Sequence, residues 1–247
     1  MHLIRAQWPA PRDVVALTTT RAGGVSTGAY ASMNLGAHVG DDPAAVAANR
    51  AQLARHLELP EKPRWLQQVH GARVIRAGSR EFSDGPPDAD AVVCPKGRHV
   101  LAVMTADCLP VLLCDTHGRG LAAIHCGWRS LAAGIIGKAV ATLGADPDGL
   151  LAWLGPAISQ PAFEVGDEVR DIFLAEIEDA AACFEPNENE RWQADLYALA
   201  RLYLERANVH RVFGGGYCTY RDSERFFSYR RDGKCGRMAT LIYRNRA

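Results

Sequence analysis

The chain has 247 residues, 48% of them hydrophobic and 23% charged, and Lys plus Arg equals Asp plus Glu at 28 each. That balance leaves no global field to draw in nucleic acid or an anionic membrane surface. The longest apolar runs, near 111–114 and 151–154, fall far short of a bilayer span.

Length alone allows one large domain or two small ones. No repeat, low-complexity tract or composition break divides the sequence, so one α/β or α+β domain over 1–247 is expected. The start, Met1-His2-Leu3-Ile4-Arg5-Ala6-Gln7-Trp8-Pro9, lacks the charged-then-apolar layout of a signal peptide. A cytoplasmic location is the resulting expectation. Seven cysteines without a C-x-x-C argue against a structural zinc ribbon. In a reducing compartment most of them pack as small apolar residues.

In chain order, residues 18–26 are rich in Gly and hydroxyls, the composition of a loop with special geometry near a ligand. A helix is predicted to open at Asp41-Asp42-Pro43, with Asp as N-cap and Pro in the first turn. It presents Val46, Leu53 and Leu57 on one side and ends before Pro60. Short strands are predicted at 89–93, 100–104, 111–114 and 120–125, with a turn at 115–118. Ser130 is read as the cap of a helix carrying Leu131, Ile135, Val140 and Leu143 and closed by Gly144. A strand at 151–154 follows, then helices over 169–180 and 196–207, and strands near 212–213 and 239–243.

Three segments end apolar runs: Gln67-Gln68-Val69-His70-Gly71, Thr105-Ala106-Asp107-Cys108-Leu109-Pro110 and Ile124-His125-Cys126-Gly127-Trp128-Arg129. They offer His70, Cys108 and His125 to one cleft. Two imidazoles and a thiolate suit zinc and do not suit a hard cation. A catalytic zinc takes three protein ligands and keeps a fourth position open. The same residues equally suit a metal-free Cys-His dyad. Cys126 points to the face opposite His125, and Cys114 lies about 20 Å from Cys108 along an extended strand. Asp107 faces away from Cys108 unless a turn before Pro110 brings both to the cleft. His99 and His117 belong to turns. His56-x-Glu58 is half of a nucleobase deaminase signature without its P-C-x-x-C half. A multicopper laccase needs several H-x-H pairs, and eight histidines here form none. A lone His-Cys-His set could still take copper, which leaves an oxidase as the weaker reading.

Thr19-Thr20-Arg21-Ala22-Gly23-Gly24-Val25-Ser26, Asn34-Leu35-Gly36, His38-Val39-Gly40-Asp41-Asp42, Asn49-Arg50, Asp88-Ala89-Asp90-Ala91 and Phe226-Phe227-Ser228-Tyr229-Arg230-Arg231-Asp232-Gly233 join those three segments in one order. Together they resemble the YfiH-like family, often called polyphenol oxidases or laccase-domain proteins, over nearly the whole chain. The resemblance implies a single-domain α/β/β/α sandwich with mixed sheets, similar to the catalytic domain of cytotoxic necrotizing factor toxins. It implies zinc on His70, Cys108 and His125. It also implies phosphorolysis of adenosine, inosine, guanosine and methylthioadenosine, with adenosine deamination as a second activity. Ser130, where the family commonly has Gly, and Lys234, Cys235 and Met238 depart from its pattern and bear on substrate preference.

Phosphate requires cationic, preferably bidentate donors. Arg129 is the first candidate because its segment holds it near His125, and Arg21, Arg50 and Arg230 follow. Asp107 is the candidate acid for purine departure, and Trp128 either stacks on a base or plugs the core. Two alternatives to the phosphorylase stand beside the copper oxidase: a metal-free Cys-His hydrolase using Cys108 and His125, and an editing factor for peptidoglycan precursors.

Overall fold

Apolar residues on both faces of successive strands leave the sheets no solvated side, and the chain answers with four layers. The computed structural model describes residues 1–245. Its strands are β1 (Leu3–Arg5), β2 (Val14–Thr19), β3 (Val74–Arg76), β4 (Ala91–Cys94), β5 (Leu101–Thr105), β6 (Leu109–Asp115), β7 (Leu121–Cys126), β8 (Leu150–Leu154), β9 (Glu164–Val165), β10 (Phe184–Pro186), β11 (Trp192–Ala194), β12 (Arg211–Gly214) and β13 (Met238–Arg244). Its helices are α1 (Pro43–His56), α2 (Trp128–Ala132), α3 (Ile135–Leu143), α4 (Asp167–Glu176), α5 (Leu196–Arg206) and α6 (Tyr229–Asp232).

One sheet, in the order β1-β2-β13-β5, is antiparallel throughout. A second, β12-β8-β6-β7-β4-β3, is mixed: β12 runs parallel to β8 and β3 parallel to β4, and the remaining pairs are antiparallel, while β10-β11-β9 form a small third, antiparallel sheet. Period-2 alternation decides which core each side chain enters. Leu121 and Ala123 of β7 and Leu112 of β6 meet Ala16, Val103 and Ile242 of the first sheet between the two sheets. Ala122, Ile124 and Cys126 face the other way, onto α3 and α5. On the outer side of the first sheet, Leu17, Ala102 and Leu241 pack against Leu53 of α1. This is the expected α/β/β/α layering in a mixed α/β single domain.

The first predicted helix forms as expected, with the Asp42 carboxylate accepting the Ala44 N–H at 2.9 Å. The second differs. Gly127 and not Ser130 caps α2, and Gly134, at φ +74°, breaks the run so that α3 starts afresh at Ile135. Ser130 lies inside α2, fully buried, with its Oγ unpaired among the described residues. The helix predicted over 169–180 stops at Glu176, where Ile177 turns extended, and resumes as a 3-10 turn over Glu178–Cys183. Strands β1, β2, β3 and β9 to β11 carry no prediction. They are two to six residues long.

Candidate metal centre

Strand register builds the site. Ala91 pairs with Ile124 and Pro110 with His125, so Asp90, just before β4, lies opposite His125. The His125 N–H donates to the Asp90 carbonyl at 2.7 Å. Odd-numbered residues of β7 point between the sheets, which turns His125 to the cleft and Cys126 into the helix-side core. Cys108 sits in the tight β5–β6 connection, where Asp107 takes φ +95°. The turn weighed before Pro110 thus exists, and it brings the half-buried thiol to the site. His70 also lies in the left-handed region, at φ +59°. The Asp90 carboxylate holds that strained residue by accepting the successive N–H groups of Val69 (3.3 Å), His70 (3.0 Å) and Gly71 (2.7 Å).

The ligand atoms of His70, Cys108 and His125 lie within 4.8 Å of one another. Cys108 Sγ is 3.9 Å from His70 Nε2, close to the roughly 3.6 Å edge of a tetrahedral zinc site built from ordinary Zn–S and Zn–N bonds. Gly127 leaves the space between them open: a Cβ there would stand 3.1 Å from Cys108 Sγ, 3.1 Å from His70 Cδ2 and 3.6 Å from His125 Cε1. Asp90 Oδ1 lies 2.8 Å from His125 Nδ1, which assigns that nitrogen the proton and directs Nε2 to the cleft. These residues therefore fit a borderline-soft metal such as zinc or copper, and the group could hold one.

Electrostatics agree. Burial pushes the Cys108 thiol up, but the charge of His125 and hydrogen bonds from His125 and His70 outweigh it and bring it down to about 6. Burial pushes His125 down, and Cys108 together with the bond from Asp90 overcomes this and raises it to about 9. Each group favours the charged form of the other. Burial also raises Asp90, yet His125 and the Gly71 and His70 amides hold its carboxyl below the usual range. Burial drives Cys126 upward and Cys114 to about 12, leaving both as inert core thiols.

Asp107 is buried and accepts from Thr219 Oγ1 (2.6 Å), Ser228 Oγ (3.0 Å) and the Arg230 N–H (2.7 Å). Every side-chain bond it makes is one it receives. It is an anchor for the C-terminal segment, which replaces the expected picture of a free acid. Arg21 donates Nε and Nη2 to the Ala31 carbonyl and Nη1 to that of Ser223. Arg50 donates Nε and Nη2 to the Leu35 carbonyl and stacks on Trp65. Both arginines brace loops. Arg230 gives Nη1 to the Glu164 carbonyl. Arg129 is exposed, lies 4.2 Å over the Trp128 ring, and its guanidinium makes no hydrogen bond or ion pair among the described residues. Trp128 packs partly against the helix-side core.

Two residues near the centre escaped the sequence reading. Asp90 was visible as part of Asp88-Ala89-Asp90, but its role depends on the β4–β7 pairing. His38 is held below the usual histidine range by burial and then by Arg237 and Arg50, with His125 and His70 also within reach. Nothing in its spacing announces that placement.

Comparison with known proteins agrees with this architecture. Residues 15–245 match the family described as Multi-copper polyphenol oxidoreductase laccase. The purine nucleoside phosphorylase YfiH of Escherichia coli (strain K12) is 48% identical over 241 residues, 98% of each chain. A Haemophilus influenzae protein named purine nucleoside phosphorylase is 42% identical over 245 residues, 98% of this chain and 99% of its own. Among solved structures, a Neisseria meningitidis protein of family DUF152 superposes with a TM-score of 0.95 at 49% identity over 100% of both chains. YlmD from Geobacillus stearothermophilus gives 0.88 at 31% identity, covering 95% of this chain and 93% of its own. By sequence and by fold, the chain belongs to the laccase-domain family of YfiH and DUF152 proteins.

Proposed function

We propose that residues 1–247 act as one metal-dependent purine nucleoside phosphorylase, with zinc held by His70, Cys108 and His125 and copper as the alternative metal. The observation that carries this reading is the His-Cys-His group, its donors within 4.8 Å and braced by Asp90, in a chain 48% identical almost end to end to a protein named purine nucleoside phosphorylase. When bound, zinc would supply Lewis-acid stabilisation of developing negative charge and lower the pKa of water at its open position. The chain's residues do the rest. Asp90 fixes the His125 ring and the His70 turn. Arg129, with unengaged donors two residues past Gly127, holds phosphate; Arg230 is the second choice, and Arg21 and Arg50 support the surrounding loops.

In phosphorolysis a phosphate oxygen bonds to ribose C1′, the C1′–N9 bond breaks, and the purine departs with the electron pair and takes up a proton. Substrates in this reading are adenosine, inosine, guanosine and methylthioadenosine. Deamination of adenosine, in which water replaces the amino group at C6 and ammonia leaves, is the second activity. Nucleosides and phosphate are its small-molecule partners, and the cytoplasm is its location. No helix among the described residues is long and apolar enough to cross a membrane.

The test pairs metal analysis of purified protein with product detection from adenosine, with and without phosphate. Adenine and ribose 1-phosphate should form only with phosphate, and Cys108→Ala should lose both metal and turnover. Full turnover after exchange with a strong chelator would falsify the metal-dependent reading. One observation favours a second reading: the Cys108 thiol, the His125 ring and the Asp90 carboxylate stand in the order of a Cys-His-Asp triad. Alkylation of Cys108 that an amide substrate blocks and adenosine does not would support such a hydrolase. A multicopper oxidase lacks ligands, because His70, Cys108 and His125 form the sole group of this kind among the described residues.

A further inference from the structure

A cavity of about 780 Å³ lies between α1 and the segment 59–65, and Phe82 and Pro86 contribute to its wall. None of His70, Asp90, Cys108 and His125 lines it. Its volume falls in the range of sites for small organic ligands. Ala47, Ala51 and Ala54 recur at helical spacing on its α1 side, so small side chains leave the space open.

Two guanidinium–aromatic pairs belong to the same cavity. Arg50 Cζ stands 4.3 Å from the centre of the Trp65 ring, and Arg64 Cζ stands 5.2 Å from that of Phe82. Charge is unbalanced, with Arg50, Lys62 and Arg64 against the single carboxylate of Glu61. Glu61 Oε1 is already engaged, 2.8 Å from His99 Nδ1 and accepting the Val100 N–H at 3.3 Å. Arg64 Nε is buried, lies 3.6 Å from that oxygen, and has no hydrogen-bond partner among the described residues.

An apolar slot flanked by flat cationic plates, with surplus positive charge, matches a planar ring that carries an anionic group. The ring stacks on the guanidinium–aromatic plates. A phosphoryl group takes the exposed Lys62 ammonium and the Nη1 of Arg64, whose Nη2 lies 3.4 Å from His99 Nδ1. Bare phosphate leaves the apolar walls uncovered, and an uncharged nucleoside leaves the cations unanswered. We propose that this cavity is a binding site for a nucleoside monophosphate, separate from the metal centre and independent of the reaction performed there.

The experiment is calorimetric titration of adenosine monophosphate, adenosine and inorganic phosphate, each alone, into the metal-loaded protein and into Cys108→Ala. Arg64→Ala and Lys62→Glu are made in both backgrounds. The expected result is one saturable nucleotide site that survives Cys108→Ala. In that background adenosine and phosphate each bind at least tenfold more weakly than the nucleotide. Arg64→Ala and Lys62→Glu each weaken nucleotide binding about tenfold or more, the scale of one lost charge-assisted contact. Lys62 is exposed, so its variant keeps the test available if Arg64→Ala folds poorly. The site is overturned if the nucleotide does not bind the Cys108→Ala protein, or if Lys62→Glu leaves its affinity unchanged. Either failure leaves phosphorolysis at the metal centre untouched, because that is read from products.

Discussion

Asp90 does two jobs with one carboxylate: it fixes the His125 ring through Nδ1 and pins the His70 turn through three backbone amides. Asp90→Asn keeps the shape but places an amide group among donors. Zinc affinity, measured against a competing chelator, should fall about 10- to 100-fold, the usual effect of losing a partner behind a metal-bound histidine. Proton linkage gives a second expectation at this scale. Zinc needs a thiolate and a neutral imidazole. His125, raised to about 9, must release a proton on binding at any lower pH, and Cys108, lowered to about 6, releases one only below that value. Apparent zinc affinity should therefore be flat above about pH 9 and fall tenfold per unit between about 9 and 6. Below about 6 it should steepen further. An apparent affinity that stays flat from pH 9 down to 6 would contradict the imidazolium assignment.

Between elements, Asp107 joins the β5–β6 turn to the segment that carries Thr219, Ser228 and Arg230. Asp107→Ala leaves two buried hydroxyls and an amide without their acceptor. Urea unfolding should show a loss of about 2–4 kcal/mol, the scale of stranding buried donors. Arg230→Ala keeps the backbone N–H bond to Asp107 and should cost far less, which separates anchoring from any part Arg230 plays with phosphate. The break at Gly134 belongs to this scale as well. Its left-handed backbone lets α2 follow the site segment while α3 turns to cover the sheet, an arrangement a continuous helix from Ser130 would not give.

Across the whole molecule, the core between the sheets is a second apolar layer beside the one under the helices. Leu112 is fully buried between the sheets. Leu112→Ala should destabilise by about 2–5 kcal/mol in chemical unfolding, the cost of a core cavity. Metal-loaded protein at temperatures where that variant remains folded should keep its stoichiometry, because the ligands sit at the end of the sandwich and not in its middle.

The sequence by itself determined the α1 cap, the removal of Cys126 from the ligand set and the three residues whose chemistry suits a borderline metal. These depend on local periodicity, on residue type and, for the layered architecture, on motifs in a shared order. Tertiary structure decided which donors converge, because the sequence separation from His70 to His125 carries no information about the β4–β7 pairing that closes the distance. It made Asp90 the brace and Asp107 an anchor, since a carboxylate's role is fixed by the donors that reach it. It likewise turned Arg21 and Arg50 to backbone carbonyls and left the Arg129 guanidinium unengaged, a distinction that three identical side chains cannot announce in sequence.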